Sequence, residues 1–116
     1  MQKKGDEMEE GAEENIKLGG NIELSGFSFL DKAQMVVVKK IVGNYARKFS
    51  EMSSNFERLS INVKKIHAVE NSENYEINAR LFANKEQFHA SENDRNLFFG
   101  IDKVLKKIEG MIKKHD

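Results

Sequence analysis

The chain has 116 residues, 39% apolar and 33% charged, with no cysteine, proline or tryptophan, a composition that supplies one hydrophobic core and leaves no room for several domains. The lack of cysteine excludes disulfides, thiolate metal centres and a thiol nucleophile, and points to a reducing, cytoplasmic home. No run approaches the roughly 18 to 20 apolar residues of a membrane span, and the acidic N-terminus is the wrong start for a signal peptide, so a soluble, unprocessed protein is expected.

The formal net charge of zero conceals segregation. Residues 1–20 hold three lysines against six acids, and residues 21–116 hold sixteen basic residues against thirteen acidic ones. The first twenty, MQKKGDEMEEGAEENIKLGG, are too poor in apolar groups to repay the entropy of ordering. They read as a disordered acidic tail in front of a single domain spanning 21–116. That tail serves solubility, or competes with phosphate for basic surfaces downstream.

Asn21 to Ser25 alternates Ile22 and Leu24 with polar neighbours, the pattern of a short strand with one buried face. Gly26 ends it, and Asp31 is placed to cap a helix running to about Met52. Met35, Val38, Val42, Tyr45, Phe49 and Met52 recur at steps of three and four, widened by Ile41, so this helix faces the core. Its other side carries Lys32, Lys39, Lys40, Arg47 and Lys48. Val36 and Val37 fall off the seam, leaving open a wide buried arc or exposed apolar surface.

At Leu59 the period becomes two, with Leu59, Ile61 and Val63 on one side. A slip at Lys64-Lys65 predicts a β-bulge or register change before Ile66. Residues 70–74, ENSEN, form a hairpin loop. Tyr75, Ile77, Ala79, Leu81 and Ala83 then mark the clearest strand, Asn84-Lys85 a tight turn, and Phe88 and Ala90 a last strand. The final helix, Asn96 to Lys114, gathers Leu97, Phe98, Ile101, Val104, Leu105, Ile108, Met111 and Ile112 on one side at about 100° per residue. Lys103, Lys106, Lys107, Lys113 and Lys114 line the other. Asn93 and Asp94 are candidate caps for its start.

The element order is β-α-β-β-β-α. A strand–helix–strand crossover makes the first two strands parallel, and short loops make the rest an antiparallel meander. The expected fold is α+β, a four-stranded mixed sheet with two helices on one face, like a double-stranded-RNA-binding domain. Two helices buried on one face turn their lysines the same way and give one composite basic surface. Lys39, Lys40, Arg47, Lys48, Lys103, Lys106, Lys107, Lys113 and Lys114 are the candidate RNA-binding residues. Phe99 falls by angle among the lysines at the start of this helix, where an exposed ring could stack on a base, but it is expected to lie partly under the preceding loop.

Over residues 21–116 the chain resembles the ribosome hibernation-promoting factors, the family of the ribosome-associated inhibitor and the sigma-54 modulation proteins, in its short form. The resemblance rests on the element order, on Ala90-Ser91 at a strand end, and chiefly on the last helix. The family's pattern there is approximately D-x-Y-x-A-I-D-x-x-x-x-K-L-E-x-Q-[IL]-x-K. Asn96, Phe98, Gly100, Ile101, Asp102, Lys107, Ile108, Glu109, Met111, Ile112 and Lys114 stand at its positions without a gap, and Gly110 stands where an Arg is common. The resemblance implies a monomeric protein that binds small-subunit rRNA through its basic helix faces and occludes the mRNA and tRNA channel under stress. It implies no membrane and no DNA. Because the chain stops at Asp116, ribosome dimerisation would need another factor.

Nothing in the sequence suggests catalysis. There are no paired carboxylates, no Ser-His-Asp order, no phosphate-cradling Gly loop and no H-E-x-x-H, so neither an enzyme nor a cofactor is expected. His67 and His89 could be sheet neighbours, but two imidazoles alone make a poor metal site. Two rival readings remain: another RNA-binding module of the double-stranded type, whose second helix would want a basic loop where ENDRN (92–96) is acidic, and a protein-interaction domain using the open sheet face. The latter would want an apolar face, whereas Ser60, Asn62, Glu76, Asn78 and Arg80 are polar and only Phe82 is not.

Overall fold

The computed structural model describes residues 15–18, 21–67 and 73–115. In chain order these form β1 (Asn15–Leu18), β2 (Ile22–Ser25), α1 (Lys32–Met52), β3 (Phe56–His67), β4 (Glu73–Ala83), β5 (Glu86–Asp94) and α2 (Leu97–His115). The expected α+β order of four strands and two helices is present. Ahead of it stands one further strand, β1, inside the stretch read as a disordered tail. Residues 1–14 of that expectation lie outside the described residues, as does the tip of the 70–74 loop.

The strands lie in the order β1-β2-β3-β4-β5. β1 pairs antiparallel with β2, β2 runs parallel to β3 through the α1 crossover, and β3, β4 and β5 form the antiparallel meander. Period two does the sorting. Leu24, Leu59, Ile61, Val63, Ile77, Ala79, Leu81 and Ala90 are buried under the helices. Between them, Ser60 stands opposite Arg80 and Asn62 opposite Asn78 on the uncovered face.

Two register expectations are corrected. The ladder runs unbroken from Arg58 to His67 through Lys64↔Glu76 and Lys65↔Tyr75, and the irregularity falls between Phe56 and Arg58. The apolar pattern slips at Lys64-Lys65 because Ile66 crosses to the uncovered face, where it is exposed, and not because the backbone bulges. His67 and His89 are not neighbours either. β4 lies between their strands, placing His67 opposite Glu73 and His89 opposite Arg80.

The helices are fixed at their ends by short polar side chains. Asp31 Oδ1 accepts from the Gln34 N–H at 2.8 Å while Gln34 Oε1 accepts from the Asp31 N–H at 3.0 Å, a reciprocal capping box. At the far end, the Ser53 hydroxyl and N–H both donate to the Phe49 carbonyl. The cap of α2 is Asn96, whose Oδ1 accepts from the Phe99 N–H at 3.0 Å. β5 extends through Asp94, so Asn93 remains a strand residue, while Asp94 Oδ1 holds the Asn96 N–H at 2.8 Å.

Turn chemistry completes the frame. Asn84 and Lys85 both have positive φ, 54° and 65°, as a two-residue type I′ hairpin requires. Gly26 has φ 82° and passes so close to the Val63 carbonyl that any Cβ would overlap it. The following loop buries Phe27 and lays Phe29 on Tyr75, ring centroids 5.7 Å apart. On α1, Val38, Val42, Tyr45, Ala46 and Phe49 are buried; on α2, Leu97, Ile101, Val104, Leu105, Ile108 and Ile112 are.

Candidate functional site

Because both helices bury their apolar stripes in one sheet face, their polar sides form one continuous layer. α1 contributes five basic residues against the single acid Glu51, and α2 five against Asp102 and Glu109. The uncovered sheet face is different in kind. Arg58, Lys64 and Arg80 face Glu23 and Glu76 there, among serines and asparagines. Charge is therefore segregated by layer as well as along the chain.

The seam between the helices is polar and ordered. The Tyr45 hydroxyl donates to Asp102 Oδ1 at 2.8 Å, and burial, with this carboxylate acceptor beside it, pushes the phenol well above its ordinary value. One turn on, Lys48 on α1 and Lys113 on α2 converge on Glu109, at 3.5 and 3.4 Å. Tyr45 meets Asp102 and Lys48 meets Glu109, so the two helices run in the same sense. Lys48 also lies over the Tyr45 ring, 5.3 Å from its centroid.

On the outer flank of α2, Lys103 Nζ lies 2.8 Å from Asp94 Oδ2. Lys107 Nζ lies 2.7 Å from Glu92 Oε2 and donates to the Ser91 carbonyl at 3.1 Å. The Lys103 ammonium holds the Asp94 carboxyl below its ordinary range, helped by the Asn96 N–H, and the carboxylate in turn raises Lys103. Lys106 is within 4.0 Å of Asp102.

The nine candidates thus divide. Lys48, Lys103, Lys106, Lys107 and Lys113 each have a carboxylate partner, and the composite surface is partly self-neutralised. Lys39, Lys40, Arg47 and Lys114 are exposed and have no ion pair among the described residues. Helical spacing shows only the i,i+4 pairs of Lys106 with Asp102 and Lys113 with Glu109; Lys48 is paired across the helix seam, and Glu92 and Asp94 reach α2 from a strand.

The ring at Phe99 departs from expectation. It is 65% exposed, in the first turn of α2 and above the lysines rather than under the loop. Val36 and Val37 are exposed too, at 64% and 41%, so the buried arc of α1 is the narrow one. Phe82, the apolar exception on the uncovered face, is covered by the Arg58 guanidinium at 4.3 Å.

Beside the C-terminal end of α1, a polar hollow of about 560 Å³ is lined by Asn21, Arg47, Ser50, Ser53, Ser54 and Asn55. Much of its polarity serves the fold: Ser54 Oγ donates to Asn84 Oδ1 and Asn21 Nδ2 to the Glu57 carbonyl. Among the described residues no cluster of His, Asp and Glu could hold a metal ion, and no helix is long and apolar enough to cross a membrane. No protein-family model and no curated protein matches the chain.

Proposed function

We propose that the protein binds the small ribosomal subunit through rRNA and inhibits translation there, its helical layer lying against the RNA. The observation that carries this reading is the segregation of charge: ten basic residues against three acidic ones on the two helices, over a sheet whose other face is nearly balanced. Lysines meet phosphates as mobile point charges and carry little base information, which suits recognition of a shaped RNA surface. The last helix's resemblance to hibernation-promoting factors, Asn96 to Lys114, supports the same reading and supplies its subunit, its channel and its stress setting.

The ion pairs dictate how it is tested. Reversing Lys103 or Lys107 would set a new carboxylate against Asp94 or Glu92 and disturb the fold. Lys40→Glu, Arg47→Glu and Lys114→Glu remove only unpaired charge. Their triple variant is expected to leave the small-subunit fraction in sedimentation, while Arg80→Glu on the uncovered face stays bound. A triple variant that co-sediments as well as the unmodified protein overturns the assignment of the helical layer.

A further inference from the structure

Two rings on this molecule, Phe29 and Phe99, are exposed and a third, Phe82, is half-buried, and their fates differ. Phe29 stacks on Tyr75 and Phe82 lies under Arg58. Phe99, the most exposed of them at 65%, has no ring or cation partner among the described residues. An unpartnered ring on a first turn whose backbone is already capped by Asn96 adds nothing to the fold that a polar residue would not.

Gly110 presents the same puzzle from the opposite side. A glycine inside a helix costs about 1 kcal/mol relative to alanine, and it usually survives because a neighbour occupies the space of its Cβ. That is the case at Gly100, where a Cβ would overlap the Ile77 side chain. At Gly110 a Cβ would meet nothing within 4 Å. No neighbour among the described residues requires that gap.

Phe99 and Gly110 are eleven positions apart. At about 100° and about 1.5 Å per residue they lie within about 20° of one azimuth and about 16 Å apart along the axis. Lys103 and Lys106 stand between them, and Lys113 and Lys114 follow. The outward line of α2 is thus a bare ring, two ammonium groups, a flat gap and two more ammonium groups. Lys103, Lys106 and Lys113 remain largely exposed despite their carboxylates.

We infer that this line is a docking strip for a single-stranded stretch of RNA, with Phe99 stacking on an unpaired base and Gly110 letting the phosphodiester backbone come down onto the helix. Charge complementarity favours a polyanion. The ring favours one whose bases are accessible, because stacking needs a free π-face that a duplex withholds. An apolar partner or a bilayer would need further apolar groups around the ring. On α2 the i+3 and i+4 neighbours of Phe99 are Asp102 and Lys103. The inference rests on the RNA reading above and specifies which form of RNA meets α2.

The chain has no tryptophan, so Phe99→Trp supplies a unique fluorophore at the strip. Titration with a single-stranded RNA oligonucleotide of mixed sequence is expected to quench its emission to a stoichiometric end point, and duplex RNA to quench it much less. Phe99→Ala is expected to lower affinity for that oligonucleotide and for purified small subunits by about tenfold, the scale of one lost stack. Gly110→Ala should lower it severalfold while raising the melting temperature. If the unmodified protein binds RNA and the Lys40, Arg47 and Lys114 reversal abolishes binding, yet Phe99→Trp emission is unmoved and Phe99→Ala binds equally, the strip is overturned and the RNA reading stands. Failure of the unmodified protein to bind RNA or small subunits at low salt overturns both. A blue shift of Phe99→Trp on phosphatidylserine vesicles without any response to RNA assigns the ring to a lipid surface, and overturns the strip.

Discussion

One hydroxyl ties the two helices together. Tyr45 is buried along its ring and spends its O–H on Asp102, so Tyr45→Phe keeps the packing and leaves the carboxylate short of one donor. A loss of about 1 kcal/mol in urea unfolding is expected, and an unchanged midpoint would mean that water replaces the bond without cost. Asp94 makes a prediction in pH. Its carboxyl is held below the ordinary 3.8, so its pairing with Lys103 stabilises the fold above that value and is lost as pH falls through the depressed one. Lys103 is raised above 10.5, so its share is complete below that value and is lost only as pH rises through the raised one. The melting temperature of Asp94→Asn should therefore lie below that of the unmodified protein near neutral pH, and the gap should close only as pH falls below the ordinary 3.8.

For single elements, the helices show what is spent on the fold and what is left over. Asp31→Ala breaks both halves of the capping box and should destabilise by about 1 kcal/mol in denaturant titration. Gly43 and Gly110 run the other way. At neither would an added Cβ meet a neighbour within 4 Å among the described residues beyond the helix's own backbone, so alanine at either should raise stability by up to about 1 kcal/mol. In the core, Ile108 is fully buried under the sheet, and Ile108→Ala should cost about 2 to 5 kcal/mol. Opposite signs at Gly110 and Ile108, two positions apart on one helix, would confirm which side of α2 faces out.

Across the whole molecule, the decisive quantity is the charge left after internal pairing. Five of the nine candidate cations have carboxylate partners within 4.0 Å, so an RNA held by the helical layer should lose fewer counterions than nine independent lysines would release. The logarithm of affinity against the logarithm of salt concentration is expected to be linear, with a slope nearer four contacts than nine. Removing the partners should steepen it. Glu92→Gln frees Lys107, and is expected to raise affinity at low salt; a drop would show that Glu92 itself touches the ligand.

Local periodicity determined the elements. The alternation from Tyr75 to Ala83, the seam from Val38 to Phe49 and the turn at Asn84-Lys85 each reside in a few consecutive side chains, and a strand or helix needs only those to decide which face is apolar. The lysine-bearing sides of both helices followed from the same periods. Only the tertiary structure decided what those sides meet. Strand order separated His67 from His89, β5 brought Glu92 and Asp94 to α2, and β1 added an edge that four residues of sequence could not announce. It also left Phe99 bare: whether a ring lies under a loop depends on where the loop runs, and with Asn96 as the cap the chain enters α2 without passing over it.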